Sequence, residues 1–205
     1  MCGIAGLVNF ANGYTDTIQR SLYHRGPDAK TQYQDKNLQL IHTRLSIQDI
    51  KNGDQPFVIG QYVIVFNGEI YNHLELRKRL KKHVCKTRSD TETLLALYIE
   101  YGPKALELCD GMFAFIIYDQ ENNKLILARD RIGKKPLYLF QDGRKVFIVS
   151  ELNALLHSMP ELSIEEKAIA SFIRIGFFHQ NSTPYKDVEE LSLIHISEPT
   201  RLGMI

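Results

Sequence analysis

The chain has 205 residues, of which 44% are hydrophobic, and its 25 basic and 24 acidic residues leave a formal net charge of +1. This balance argues against a nucleic-acid partner and against binding to an anionic membrane, because both depend on a basic surface. The hydrophobic fraction supports a substantial core, and no segment approaches the roughly 20 apolar residues of a membrane span.

The three cysteines, Cys2, Cys85 and Cys109, are scattered along the chain. They have neither the close spacing of a zinc site nor the density of a disulfide scaffold. We therefore expect a reduced, cytoplasmic protein with no metal site.

The first third of the chain predicts strands separated by a short helix. GIAGLVNF is typical of a buried strand, and TDTIQRSLY predicts a helix capped by Thr15 or Asp16. The β-branched and aromatic residues of LQLIHTRLSIQDI and YVIVFNGEIY predict two further strands, the second ending in a turn at Asn67-Gly68.

The next segment predicts two helices. One begins near Asn72 and carries Leu76 and Leu80 on one face. The second follows a capping-box pattern in SDTE and ends at Gly102, which precedes a proline.

The remaining strands and helices complete the predicted fold class. GMFAFIIYD and KLILARD flank QENN and predict a hairpin covered on both faces, and KVFIVSE predicts one more strand. LNALLHSM and IEEKAIASFIRI predict helices. Strands grouped with helices, without strict alternation, indicate an α+β layered sandwich with two mainly antiparallel sheets.

Cys2 has two interpretations. It is either a small apolar residue leading into a strand or, once Met1 is removed, a nucleophile. In the second case its own α-amine lies within reach of the thiol and can act as the base.

Other polar residues also have an ordinary and a functional interpretation. Asn67-Gly68 makes a turn or supplies two donors to an oxyanion. Arg44 faces solvent or grips a carboxylate in a pocket. Asp90 is a favourable charge at a helix start or, together with Glu69, a partner for an ammonium group.

Three more segments predict structure rather than chemistry. HRGPD, which contains His24 and Arg25, reads as a polar loop, and RDRIGKKPLY reads as a structural loop. RKRLKK predicts the solvated face of a helix, given the balanced total charge.

Eight motifs occur together in one order: MCGIAG, HRGPD, RLSIQD, FNGEIYNH, RSDTE, GMFAFIIYD, ARDRIGKKPLY and SELNALL. Together they resemble the N-terminal glutaminase domain of glutamine-hydrolysing asparagine synthetases, over essentially Met1 to Glu190. This resemblance implies the four-layer α/β/β/α sandwich of the N-terminal-nucleophile (Ntn) hydrolases.

The resemblance also implies roles for individual residues. Cys2 matches the nucleophile that hydrolyses L-glutamine to glutamate and ammonia through a thioester. The matching glutamine-binding residues are Arg44 for the α-carboxylate, Asn67 and Gly68 for the oxyanion, and Glu69 and Asp90 around the α-amino group.

The implied domain organisation has three parts. Residues 1–160 correspond to a glutamine amidotransferase type 2 domain, and residues 161–190 correspond to a connector toward a C-terminal synthetase domain. That domain would bind ATP and Mg²⁺ and form asparagine from aspartate. Its Ser-Gly-Gly-x-Asp-Ser phosphate loop is absent from this sequence, so we expect no cofactor here. Residues 191–205 closely resemble a translated sequencing adapter, and we expect them to be non-native.

Two alternatives remain open from the sequence. One is an amidotransferase domain that serves another acceptor, such as phosphoribosyl pyrophosphate, a hexose phosphate or a cell-envelope sugar. The other is an inactive truncated fragment, or a module that binds glutamine without turnover. A homo-oligomer of the full-length protein is compatible with every alternative.

Overall fold

The protein forms two antiparallel sheets flanked by helices, in a computed structural model that describes residues 1–179 and 181–192. The strands are β1 (Gly3–Val8), β2 (Ala29–Asp35), β3 (Leu38–Arg44), β4 (Phe57–Ile59), β5 (Tyr62–Ile70), β6 (Gly111–Asp119), β7 (Lys124–Arg129), β8 (Tyr138–Asp142), β9 (Lys145–Val149) and β10 (Val188–Glu190). The helices are α1 (Thr15–Ser21), α2 (His73–Arg77), α3 (Asp90–Tyr101), α4 (Ala105–Leu108), α5 (Leu152–Ser158) and α6 (Glu166–Ile175), with a turn of 3-10 helix at Gly102–Lys104.

The six-stranded sheet has the order β10-β8-β9-β1-β3-β2, and the four-stranded sheet has the order β4-β5-β6-β7. All pairings between these strands are antiparallel. β1 lies inside the larger sheet, between β3 and β9, so the start of the chain is anchored on both sides.

Three apolar layers hold four layers of secondary structure together. The inner faces of both sheets meet in one core cluster, which includes Ile4, Leu40 and Val65. A second cluster joins α1 and α5 to the outer face of the six-stranded sheet, and a third joins α2, α3 and α4 to the outer face of the four-stranded sheet. The predicted α/β/β/α sandwich is therefore confirmed.

Two strand predictions were wrong at their ends. β3 stops at Arg44, and the residues after it form a loop rather than a continued strand. The predicted turn at Asn67-Gly68 is absent because β5 runs on to Ile70, paired with β6 throughout. Tertiary pairing with β6 overrides the local turn preference of the Asn-Gly pair.

Other strands had no clear signal in the sequence. β2 reads AKTQYQD and alternates between half-buried and exposed residues at a sheet edge, so it lacks the apolar run of a buried strand. β8 lies in part within the segment interpreted as a loop, and β4 has only three residues.

The helices differ from prediction in local detail. α2 ends at Arg77 and is shorter than its basic sequence suggested. At the start of α3, the Ser89 hydroxyl accepts the Thr91 N–H at 3.2 Å, as expected of a cap. Glu92 does not complete the capping box, because its carboxylate accepts instead from Lys86 and Thr87.

The end of the described chain belongs to the sandwich. β10 is the edge strand of the six-stranded sheet, within the segment predicted as a connector. Leu191 is buried, and its N–H donates to the Leu137 carbonyl at 2.8 Å. The predicted non-native tail otherwise lies outside the described residues, apart from Ser192. Among the described helices, none is both long and apolar enough to span a bilayer.

We predict that Glu92→Gln destabilises the fold by about 3 kcal/mol at neutral pH, because Glu92 is a buried charged acceptor for several donors. Burial works against ionisation, but hydrogen bonds from the Thr87 hydroxyl, the Lys86 and Thr87 amides and His83 lower the pKa of Glu92 to about 2. This stabilisation is present above the ordinary pKa of a glutamate and is lost as the pH falls toward 2.

Urea unfolding as a function of pH measures this effect. The stability difference should begin to shrink below about pH 4, where the unfolded-state carboxylate protonates, and should disappear only near pH 2. Glu161→Gln, at an exposed position, is the matched control and should leave stability unchanged. A constant difference down to pH 2 would contradict the assignment.

Candidate functional site

The period of two along each strand places four site residues on the inner faces of the sheets. In β1 the inner positions are Ile4 and Val8, so Cys2 lies on the same side, just before the strand. In β3 the inner positions include Leu38 and Leu40, and Arg44 continues that series at the strand end.

The four-stranded sheet contributes two of these site residues, both from β5. Val63 and Val65 lie in the inter-sheet core, and the same alternation points Asn67 and Glu69 toward it. Gly68, on the opposite face, is required by packing: a Cβ there would lie 2.3 Å from the Met112 carbonyl of β6.

These residues line one cleft at the end of the inter-sheet core. Its volume is about 100 Å³. Its polar lining includes Cys2, Arg44, Asn67, Glu69, Asp90 and Lys135. The structure therefore brings together every residue that the sequence analysis singled out for this chemistry, Gly68 included.

Cys2 is half-buried and lines this cleft, and the Leu45 N–H points to its sulfur at 3.5 Å. Burial raises the pKa of the thiol, and the Leu45 contact, the N-terminal amine, Arg44 and Arg25 oppose that rise. The thiol is therefore the favoured form in this state, and a base is needed to produce the thiolate.

Met1 is present in this structure, so the nitrogen of Cys2 is part of a peptide bond and not a free amine. The Met1 side chain lines the cleft, and its sulfur lies 2.8 Å from the Lys135 Nζ. Burial lowers the pKa of the Met1 amine; Cys2 raises it, whereas Arg25 and Lys135 lower it further. A free amine at this end of the chain is thus biased toward its neutral form.

Arg44 is 5% exposed and is held by the loop that follows β3. One terminal nitrogen donates to the Ile50 carbonyl at 3.1 Å and to Asp54 Oδ1 at 2.7 Å. The other donates to the carbonyls of Gln48 and Asp49, at 3.3 and 2.8 Å. The guanidinium is therefore fixed in position, and one of its contacts is an exposed carboxylate that another carboxylate can replace.

Asn67 is 1% exposed, and its Nδ2 has no hydrogen-bond partner among the described residues. A buried amide donor without a partner costs about 1–3 kcal/mol, and a ligand oxygen in the cleft would remove that cost. This geometry fits the predicted oxyanion donor.

Asp90 begins α3 and reaches the end of β5, where Oδ2 accepts the Ile70 N–H at 2.9 Å. Burial raises the pKa of Asp90 to about 6; the Ile70 hydrogen bond opposes the rise, and the nearby Glu69 charge adds to it. Glu69 itself accepts from the Gln48 side chain. Two close carboxylates without a described cation make this corner of the cleft attractive to an ammonium group.

Gln55 connects the two elements that carry this acidic corner. Its Oε1 accepts the Phe66 N–H at 2.6 Å, and its Nε2 donates to the Thr91 hydroxyl at 3.2 Å. Gln55 is buried, so it links β5 to the start of α3 and fixes the position of Asp90 against Asn67.

Three site residues were missed by the sequence analysis. Arg25, interpreted as part of a polar loop, is 6% exposed and donates through Nε to the Cys2 carbonyl at 3.0 Å. Lys135, interpreted as part of a structural loop, is 4% exposed in the cleft. Asp54 had no signal. His24 is exposed and pairs with Glu151 at 3.0 Å, as expected for a polar loop.

A group of metal-ligand types lies outside the cleft, although no metal site was expected. His83, Cys85 and Glu92 bring one ligand atom each within 4.8 Å of the others. Both oxygens of Glu92 already accept hydrogen bonds from Lys86, and one also accepts from Thr87 at 2.7 Å. These hydrogen bonds hold the loop before α3, so the group is explained as a structural anchor for that loop.

The chain is similar to known proteins over most of its length. The family described as "Glutamine amidotransferase domain" matches residues 1–204. Glutamine-hydrolyzing asparagine synthetase 1 of Bacillus subtilis is 35% identical over 195 residues, which is 89% of this chain and 31% of that protein. Glutamine-hydrolyzing asparagine synthetase B of Escherichia coli is 38% identical over 166 residues, 76% of this chain and 30% of that protein. The chain thus spans less than a third of either relative.

The fold also has solved counterparts. A glutamine phosphoribosylpyrophosphate amidotransferase from B. subtilis, complexed with ADP and GMP, superposes with a TM-score of 0.65. The identity is 22%, over 77% of this chain and 43% of that chain, so this likeness concerns the fold alone.

We predict that Asp90→Asn stabilises the protein by about 1–2 kcal/mol at pH 7, because a buried carboxylate with a raised pKa is a cost to the folded state. The cost is complete above about pH 6 and disappears as the pH falls below the ordinary pKa of an aspartate. The stability difference should therefore vanish near pH 4, which urea unfolding at several pH values would show. Asp16→Asn, at an exposed helix start, is the control; a destabilised Asp90→Asn protein would refute the interpretation.

Proposed function

The chain belongs to the glutamine amidotransferase domain family, and from this membership we propose that it hydrolyses L-glutamine to glutamate and ammonia with Cys2 as the nucleophile. The observation that carries the proposal is the convergence, in one cleft, of the Cys2 thiol and Asn67, whose Nδ2 has no hydrogen-bond partner among the described residues. The guanidinium of Arg44 and the carboxylates of Glu69 and Asp90 line the same cleft. Acyl transfer to a thiol needs such a nucleophile and a donor that stabilises the oxyanion.

The charges in the cleft match free glutamine. Arg44 offers a fixed guanidinium to the α-carboxylate, and Glu69 with Asp90 offers two carboxylates to the α-ammonium. This arrangement orients the side-chain amide toward Cys2. A zwitterionic amino acid can pair with both the guanidinium and the two carboxylates, whereas a simple amide carries neither of the matching charges.

The proposed reaction begins after Met1 has been removed. The freed α-amine of Cys2 accepts the thiol proton, and the sulfur attacks the amide carbon of glutamine. Asn67 Nδ2 and the Gly68 N–H stabilise the tetrahedral oxyanion. The protonated amine gives its proton to the leaving nitrogen, ammonia departs, and water hydrolyses the thioester to glutamate.

The acceptor of the ammonia is proposed from the relatives. Both named relatives are glutamine-hydrolyzing asparagine synthetases that extend far beyond the region matched here. We infer that the whole protein is a cytoplasmic asparagine synthetase, in which ATP, Mg²⁺ and aspartate bind a further domain. The names of these relatives favour this acceptor over a sugar or phosphoribosyl acceptor.

We predict that Cys2→Ala reduces glutamine hydrolysis at least a thousandfold, since no other group in the proposed mechanism forms the thioester. Glutamate and ammonia release from the purified chain measure this loss. Intact mass must show that Met1 has been removed in both proteins.

The matched control is Cys85→Ser, which removes a half-buried thiol outside the cleft. It should retain the original rate. Equal ammonia release from Cys2→Ala and the original chain would refute the nucleophile, and no release from either would favour the inactive-fragment alternative.

We predict that Asp54→Asn lowers KM for glutamine about two- to fivefold and leaves kcat unchanged. Asp54 Oδ1 accepts a hydrogen bond from an Arg44 terminal nitrogen at 2.7 Å, so the substrate carboxylate must displace Asp54 from that nitrogen. The Asp54 side chain is 67% exposed, which limits the strength of this competing ion pair. Steady-state kinetics measure the change, with Asp142→Asn at an exposed strand end as the control. A higher KM would show that Asp54 supports the clamp instead.

A further inference from the structure

Lys135 is a buried cation in the cleft with an unusual partner. Its side chain is 4% exposed, and within the described chain its Nζ makes one hydrogen-bond contact, to the Met1 sulfur at 2.8 Å. A thioether is a weak acceptor, and burying an ammonium without a strong acceptor is costly. A buried lysine with so weak a partner is a candidate for a functional role in the cleft.

The loop that carries Lys135 is held rigidly. The Asp130 carboxylate accepts the backbone N–H groups of Lys134 and Lys135, at 3.0 and 3.1 Å. Arg129 adds a bond to the Gly133 carbonyl at 2.6 Å. The position of the ammonium is thus set by the backbone rather than by a flexible surface segment.

Removal of Met1 changes what Lys135 faces. The Met1 side chain and its sulfur leave together, so Nζ loses its contact just as a new α-amine appears on Cys2. Met1, Cys2 and Lys135 line the same cleft, so Lys135 is already near the site of this cleavage.

We propose that Lys135 is a positioning residue whose ammonium faces the new Cys2 α-amine and keeps it unprotonated, ready to accept the thiol proton. This inference rests on the proposed glutamine hydrolysis. Two positive charges in one buried cleft repel, so the neutral form of the amine is favoured as long as Lys135 stays charged. Burial, Arg25 and Lys134 lower the pKa of Lys135, whereas Asp130 and Cys2 raise it.

Other charges act at this end of the chain and stay in place when Lys135 is replaced. Arg25, from the loop after α1, lowers the pKa of the Met1 amine, and Asp28, from the same loop, raises it. Arg44, at the end of β3, acts on the thiol. Replacing Lys135 alone therefore isolates its effect on the protonation of the Cys2 α-amine.

The test is the pH profile of kcat/KM for glutamine hydrolysis. We expect Lys135→Met to move the acid limb of the profile to higher pH by about one unit, because the Cys2 α-amine protonates more readily once the neighbouring positive charge is gone. Lys135→Arg keeps the charge and should keep the original limb. Lys134→Met removes an exposed charge from the adjacent position and is the matched control.

An unchanged acid limb in Lys135→Met would overturn the proposal, even if the overall rate fell, since a structural role lowers the rate without moving the limb. Lys135→Gln replaces the methionine variant if that protein does not fold, and intact mass confirms Met1 removal in each variant. Failure here is distinguishable from failure of the proposed function. In the first case Cys2→Ala is still inactive, and in the second it is as active as the original chain.

Discussion

Antiparallel pairing of β1 with β3 places the start of the chain beside Arg44, and the geometry of the site depends on this register. A slip of one residue would turn Cys2 away from the inter-sheet face and leave Arg44 opposite the wrong residue. β1 cannot slip easily, because β9 pairs with its other edge and the Ser150 hydroxyl accepts the Ile4 N–H at 2.9 Å. The end of the chain that carries Cys2 is therefore held by a central strand rather than by a free terminus.

Two buried carboxylates at the start of α3, Asp90 and Glu92, have pKa values shifted in opposite directions by their surroundings. Glu92 receives donors from the preceding loop, which hold its pKa near 2, and it anchors that loop. Asp90, two residues earlier, accepts from Ile70 but lies near Glu69, and burial raises its pKa to about 6. The first carboxylate is satisfied within the protein, whereas the second lines the cleft in which we propose that a ligand ammonium binds. Sites that bind charged ligands commonly carry such a cost in stability.

Features of the sequence predicted the structure correctly where a signal is local or where several motifs occur together. The buried runs that form β1, β6 and β7 were predicted from composition, because a strand covered on both faces needs an apolar run. The Asn67-Gly68 turn was wrong, since nine residues of pairing with β6 outweigh a two-residue preference. β2 was missed because an edge strand with one face in solvent carries little hydrophobic signal.

The sequence by itself determined the family resemblance, the sandwich class and the identity of the candidate nucleophile, because those depend on residue types in a fixed order. Only the tertiary structure decided which charges share the cleft. Lys135 lies 134 positions from the Met1 sulfur that it contacts, and Asp54 reaches Arg44 only because a loop folds back over the strand end. Such contacts arise from the pairing of strands and the packing of two sheets, which bring together residues that no local pattern connects.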